Sequence, residues 1–190
     1  MNSNKITAIR ITNLFEQDDA PVHALIDYEI LKIHRPEIRD DIRSKKDFFE
    51  RIQIRGRVRI LRVIEDGLFV AVHFKVEELA YTTDNLFVFR FNASGSVTEL
   101  WTNSQEEVSA GTNGSALTRA PGELIDTATT QDLRLSEGNY TLTATRSVHN
   151  GTELATFRLH RRMEDRVVEH WDVSEPVPGP DQWKNDWGKF

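Results

Sequence analysis

The chain has 190 residues, 38% of them hydrophobic and 28% charged, with a formal net charge of -6. That length predicts one domain, or one domain plus an appendage, and the acidic balance argues against nucleic acid as the main partner, because phosphate binding needs a basic surface. There is no cysteine, which excludes disulfides, thiolate metal sites and cysteine nucleophiles and fits a reducing, cytoplasmic setting.

The start, Met1-Asn-Ser-Asn-Lys5, is polar and no apolar core follows it, so no signal peptide is read there. No run approaches the ~18 apolar residues of a membrane span. Ile6, Ile9, Ile11, Leu14 and Phe15 predict a helix over residues 4–18, stopped by Asp18 and Asp19. A second helix is expected from Pro21, a good first-turn residue, with Val22, Leu25, Ile26 and Ile30 inward. It must end before Pro36, because the residue before a proline is pushed out of the α region. A third is expected over 44–51, with Ser44 as N-cap, Asp47 at the third helical position and Phe48-Phe49 as apolar stripe.

The pattern then turns to β. Strands are expected over 58–64, 68–76, 86–91 and 97–103, with turns at Glu65-Asp66-Gly67 and Asn92-Ala-Ser-Gly95. Arg55, Arg57, Arg59 and Arg62 are read as the wet face of the first of these. Leu68, Val70, Val72, Phe74 and Val76 should share one face of the second, opposite Phe69, Ala71, His73 and Lys75. Residues 104–137 are rich in Ser, Thr, Gly and Ala and read as a long crossing segment. A second set of strands follows over 140–146, 154–161 and 167–173, with Asn150-Gly151 and Glu164-Asp165 as turns. The two sets read as one unit written twice, each ending in Val-x-Glu-x-Trp, at Trp101 and Trp171. The tail carries prolines at 176, 178 and 180, then Trp183, Trp187 and Phe190, and is expected to dock on the body.

With these motifs placed, the chain resembles the nuclear-transport-factor-two-like superfamily, and within it the SnoaL-like group. The resemblance rests on Tyr28 through His34-Arg-Pro36, on Val63-Ile-Glu-Asp-Gly67 followed by Val70-Ala-Val-His73, on Phe89-Arg-Phe91 and on Glu169-His-Trp-Asp-Val173. Asn113-Gly-Ser115, Pro121 through Asp126 and the segment 183–190 further resemble bacterial proteins with two such domains in tandem. The resemblance implies a cystatin-like α+β cone, with three helices on a bent antiparallel sheet around an apolar pocket. It implies a SnoaL-like domain over residues 1–106, a crossing segment over 107–137, a partial second meander over 138–175 and an aromatic tail over 176–190. The second unit's helices are missing.

Family members include polyketide cyclases, ketosteroid isomerase and proteins with no chemistry, so the fold fixes a pocket rather than a reaction. The positions where SnoaL-like enzymes commonly hold an acid/base pair carry Phe87 and Thr102 in the first unit, which cannot exchange protons near neutral pH. The second unit has Asp172 opposite Arg158. His34 is either a general base or a structural histidine. Tyr28 either donates into a cavity or is a core residue, and His73 is either a ligand contact or an interface residue. Trp101 and Phe87 complete the ligand-binding candidates, and His34 and Asp172 are the catalytic ones. Arg90 and Arg158 are expected to pair with Glu99 and Glu169 across strands. No cofactor or metal is expected, since no HxH or HExxH spacing occurs.

These readings lead to a small-molecule pocket protein. It is either a binding and assembly module whose second meander covers the first sheet as an internal pseudo-dimer, or a cofactor-independent acid/base enzyme on a small apolar or polyketide-like substrate. A third arrangement is a homodimer that exchanges the second meander. No nucleic acid or membrane partner is expected.

Overall fold

The computed structural model describes residues 3–13, 25–52, 56–78, 81–106, 130–164 and 166–190. Within them lie two α-helices, α1 (Ser3–Asn13) and α2 (Ile42–Ile52). The nine strands are β1 (Lys32–His34), β2 (Arg57–Asp66), β3 (Phe69–Glu77), β4 (Thr82–Phe91), β5 (Val97–Glu106), β6 (Thr130–Glu137), β7 (Tyr140–His149), β8 (Thr152–Met163) and β9 (Arg166–Pro176). They form a five-stranded sheet in the order β1-β5-β4-β3-β2 and a four-stranded sheet in the order β6-β7-β8-β9. The chain is α+β.

Three local expectations change. The expected second helix is not helical in its described part: residues 25–31 are turns and an isolated bridge, and β1 pairs parallel to β5. Backbone hydrogen bonding to an open sheet edge outweighs helix propensity there. The cap of α2 is Asp41, not Ser44. Its carboxylate accepts from the Ser44 backbone N–H at 2.7 Å and from the Ser44 hydroxyl at 2.9 Å, so the helix starts earlier than its apolar stripe indicates. The stretch 130–137, read as part of the crossing segment, is a strand on the edge of the second sheet.

Both β2–β3 and β6–β7 turn through a glycine at positive φ, Gly67 at 59° and Gly138 at 56°. That conformation suits the primed two-residue hairpin turn. Leu68 sits in the first of these turns, 44% exposed, rather than on the face with Val70 and Val72.

The first sheet is covered on both faces. On one, Ala8 and Ile11 of α1 and Phe48 and Phe49 of α2 join Val70, Val72, Phe74, Phe87, Phe89 and Leu100 in one buried cluster. On the other, Ile64, Ala71, Leu86, Val88 and Trp101 meet Leu135, Leu142, Ala144, Phe157, Leu159 and Val173 of the second sheet. A strand buried on both faces explains why β3 and β4 read as near-continuous apolar runs.

A bulge between Ile60 and Arg62 of β2 decides which side chain faces which core. Val58 and Ile60 face the helices, while Ile64 joins the inter-sheet cluster. Arg62 thereby stays on the face of Arg57 and Arg59, opposite His73 as they are opposite Glu77 and Lys75, but at its position the second sheet covers that face. Its guanidinium lies 3.6 Å over the Trp171 ring.

Polar contacts across the two sheets come in reciprocal pairs. Asp66 accepts from the Ser136 backbone N–H at 2.9 Å, and Glu137 accepts from the Glu65 N–H at 2.9 Å. Glu175 accepts from the Ser104 N–H, and Gln105 from the Ser174 N–H, each at 3.1 Å. Asp66 and Glu137 precede the equivalent turn glycines, and Ser104 and Ser174 each follow the equivalent tryptophans by three places. Asn103 adds two buried bonds, donating to the Ala155 and Val173 carbonyls at 2.8 Å each.

Arg90 pairs with Glu99 as expected. Arg158 does not pair with Glu169. It makes a two-pronged contact with Asp172 at 2.8 and 2.7 Å, and Glu169 takes Arg161 at 2.8 Å. Arg158 lies opposite Asp172 in the β8–β9 register, and Arg161 opposite Glu169.

The tail docks. Val177 is buried, Lys184 N–H donates to the Pro36 carbonyl at 2.7 Å, and the Asn185 amide donates to the Arg35 and Ile38 carbonyls at 2.7 and 2.6 Å. Trp183 and Trp187 are partly buried, and Phe190 joins the inter-sheet cluster with its ring 5.8 Å from that of Phe157. Truncation after Pro180 is expected to cost about 2–4 kcal/mol in urea unfolding, from the lost aromatic burial and the carbonyls left bare. A loss under about 0.5 kcal/mol would make the tail a passenger.

Candidate functional site

A cleft of about 520 Å3 opens between the loop after β1 and α2, lined by Arg35, Glu37, Ile38, Arg39, Ser44, Asp47, Phe48 and Lys184. A second cleft of about 750 Å3 shares Arg39 and Lys184 and adds Trp183 and Trp187. Pro36 turns the chain out of β1, α2 supplies one wall, and the tail supplies Lys184. Arg35 Nε donates to Glu37 at 2.7 Å, and its Nη1 reaches the Thr102 hydroxyl at 3.4 Å. Burial alone would raise the Glu37 carboxyl, but Arg35 beside it holds it below the usual range.

Next to this mouth, Lys189 is 2% exposed, with its ammonium on Glu175 and the Thr102 carbonyl. Burial, with Arg35 close by, pushes its pKa well down. Among the described residues, no group of three or more His, Cys, Asp or Glu side chains could hold a metal ion. No helix there is long and apolar enough to cross a membrane.

The sequence candidates do not converge on one site. His34 and Trp101 do meet: they are register partners in β1 and β5, and their rings stack at 4.2 Å. His34 Nε2 lies 3.0 Å from Glu99, which also holds Arg90. His34 Nδ1 is buried and makes no well-formed hydrogen bond, with the Trp187 backbone beside the ring. Tyr28 is in the helix-side core, edge-on to Phe49, and burial followed by the nearby Glu50 pushes its phenol up to about 12. Phe87 lies in the same core, edge-on to Phe74 at 5.0 Å. His73 lies on the opposite face of the first sheet, bonded to Asp84 at 2.7 Å. Asp172 is on the second sheet, held by Arg158.

Sequence reasoning missed Arg35, Glu37, Arg39, Lys184 and Lys189. The Arg-Pro-Glu-Ile-Arg run after His34 was a visible signal for the first three, but nothing local shows that residues 184 and 189 fold back to it.

Burial lowers the His34 pKa, against the opposing pull of Glu99. The folded state therefore favours neutral imidazole. Its contribution to stability is complete above the unfolded value near 6.5 and is lost as pH falls through the lower folded value. Unfolding free energy should fall below about pH 6.5 more steeply in the native chain than in His34→Gln. Parallel pH profiles of the two proteins would sink this assignment.

No protein-family model and no curated protein matches the chain. Among solved structures, a "putative ketosteroid isomerase" from Kribbella flavida is similar to it over 64% of this chain and 93% of its own, at 16% sequence identity and a TM-score of 0.45.

Proposed function

We propose that the chain is a small-molecule-binding module of the SnoaL-like kind, assembled as an internal pseudo-dimer. The reciprocity of the inter-sheet bonds carries this reading. In a two-fold interface residue i meets j and j meets i, and Asp66 with Ser136 against Glu137 with Glu65 follow that rule between two halves of one chain. The second sheet thus covers the face that a partner subunit would cover. The cleft at Arg35, Ile38 and Phe48 offers the ligand site. Phe87 and Thr102, at the positions of the group's usual acid/base residues, support binding without proton transfer.

Sedimentation across micromolar concentrations tests the assembly: a 21.9 kDa monomer is expected, and a stable dimer would favour exchange of the second meander between chains. For the chemistry, isomerisation of a small β,γ-unsaturated ketone in deuterated water is expected to run at the background rate.

One observation favours the enzyme reading: His34 combines a carboxylate on Nε2 with an Nδ1 that makes no well-formed hydrogen bond. Acceleration of the ketone reaction that disappears in His34→Ala would establish it.

A further inference from the structure

Resting on the binding reading, the structure assigns the cleft a ligand class: a small apolar molecule carrying a carboxylate. Five charged side chains line it, three cationic and two acidic. They are not equivalent. Arg35 and Glu37 neutralise each other at 2.7 Å, and Asp47 has an interaction of its own. Arg39 and Lys184 make no ion pair among the described residues and are exposed, although Asp40, Asp41 and Asp186 line the second cleft beside them and Asp41, held low first by its bonds to Ser44, also feels Arg39. Both line the second cleft as well, so they stand on the ridge between the two.

Lys184 is not a loose surface lysine. Its backbone N–H is bonded to Pro36, and the next residue, Asn185, grips the Arg35 and Ile38 carbonyls on either side of the loop. The backbone that carries the cation is thereby fixed relative to the loop of Arg39 by the docked tail. Ile38 and Phe48 offer an apolar surface in the same cleft. Two cations at one rim with an apolar wall behind them match a carboxylate head on a ring-sized body. Arg supplies a planar fork and Lys a point charge. A volume of about 520 Å3 lies within the ordinary range for small ligands and is too small for a folded partner.

The test uses the full chain and two probes of the same shape, 2-naphthoate and 2-naphthamide, followed by fluorescence titration. We expect naphthoate to bind about tenfold more tightly than the amide, and Arg39→Gln and Lys184→Gln each to weaken naphthoate about three- to tenfold while leaving the amide unchanged. Added salt should reduce the preference. Ser44→Trp, which fills the cleft, should abolish binding of both. Far-UV circular dichroism checks that these variants remain folded. Equal affinity for acid and amide, with the glutamine variants inert, would overturn the carboxylate assignment and leave the pocket in place. Binding of neither probe would overturn the pocket reading with it. Naphthoate binding unaffected by Ser44→Trp would place the probe elsewhere and overturn the assignment.

Discussion

Phe157→Ala is expected to cost about 3–5 kcal/mol of unfolding free energy, the usual range for emptying a buried phenylalanine site. The side chain is fully buried between the two sheets, in one cluster with Leu86, Val88 and Trp101 of the first and Leu142, Leu159 and Val173 of the second, and the C-terminal Phe190 ring closes over it. Neighbours on opposing strands cannot collapse into the space without breaking register, so the cavity should persist. The location matters as much as the size. The site belongs to the interface rather than to either sheet's own ladder, so the loss should appear in the unfolding of the whole chain. Urea denaturation followed by circular dichroism and by tryptophan fluorescence would show coincident transitions shifted together. A cost under about 1 kcal/mol, or two separated transitions, would mean that the second sheet is an appendage and not half of a common core.

Asp84→Ala should destabilise by about 2–3 kcal/mol, the upper part of the range for a buried donor left without its acceptor. Asp84 and His73 are each 2% exposed, with His73 Nε2 2.7 Å from Oδ1. On the other side of the ring, Arg62 Nη1 lies 3.3 Å from Nδ1. An arginine can only donate, so Nδ1 is the acceptor and Nε2 carries the proton given to Asp84. The imidazole is therefore neutral, fixed in one tautomer and satisfied at both nitrogens. Arg62 in turn lies flat over Trp171 of the second sheet, so the chain Asp84–His73–Arg62–Trp171 links the two halves. Removing the carboxylate strands a buried N–H donor. Asp84→Asn keeps an acceptor and should cost clearly less than alanine, because the hydrogen bond survives and only its charge is lost. Equal costs for the two variants, or an alanine cost below about 1 kcal/mol, would show that the contact contributes little. This geometry makes His73 an inter-sheet residue, one of the two roles its position on β3 allowed.

Much of the β architecture is visible in the residues themselves. Period-two alternation and the Gly67 and Asn150-Gly151 turns mark the hairpins, because side-chain direction and turn chirality are local properties. The repeat of Val-x-Glu-x-Trp marks the two halves for the same reason. The stretch before Gly138 was legible in principle: Leu133 and Leu135 alternate ahead of it and form the extra edge strand. The Ser- and Thr-rich composition around it hid the signal. The third helix was legible as an apolar stripe, but its start was not, since Asp41 acts through a bond that only the folded turn reveals.

What local pattern could not decide is which face meets what. One bulge in β2 turns Arg62 from the helix side, where strict alternation would put it, to the Trp171 ring, and a single-residue offset has no signature in a run such as Arg-Ile-Leu-Arg-Val-Ile. The loss of helix over residues 25–35 was equally hidden, because the competing partner, β5, lies more than sixty residues away. The cleft is the clearest case. Arg39 and Lys184 are separated by most of the chain and share a wall only because Asn185 bonds back to the loop carbonyls. The sequence by itself determined seven of the strands and their turns, since these rest on short-range sterics and periodicity. The tertiary structure alone decided the inter-sheet core, the partners of Arg158 and His73, and the cleft beside α2. Each of those depends on contacts between residues that no local preference brings together.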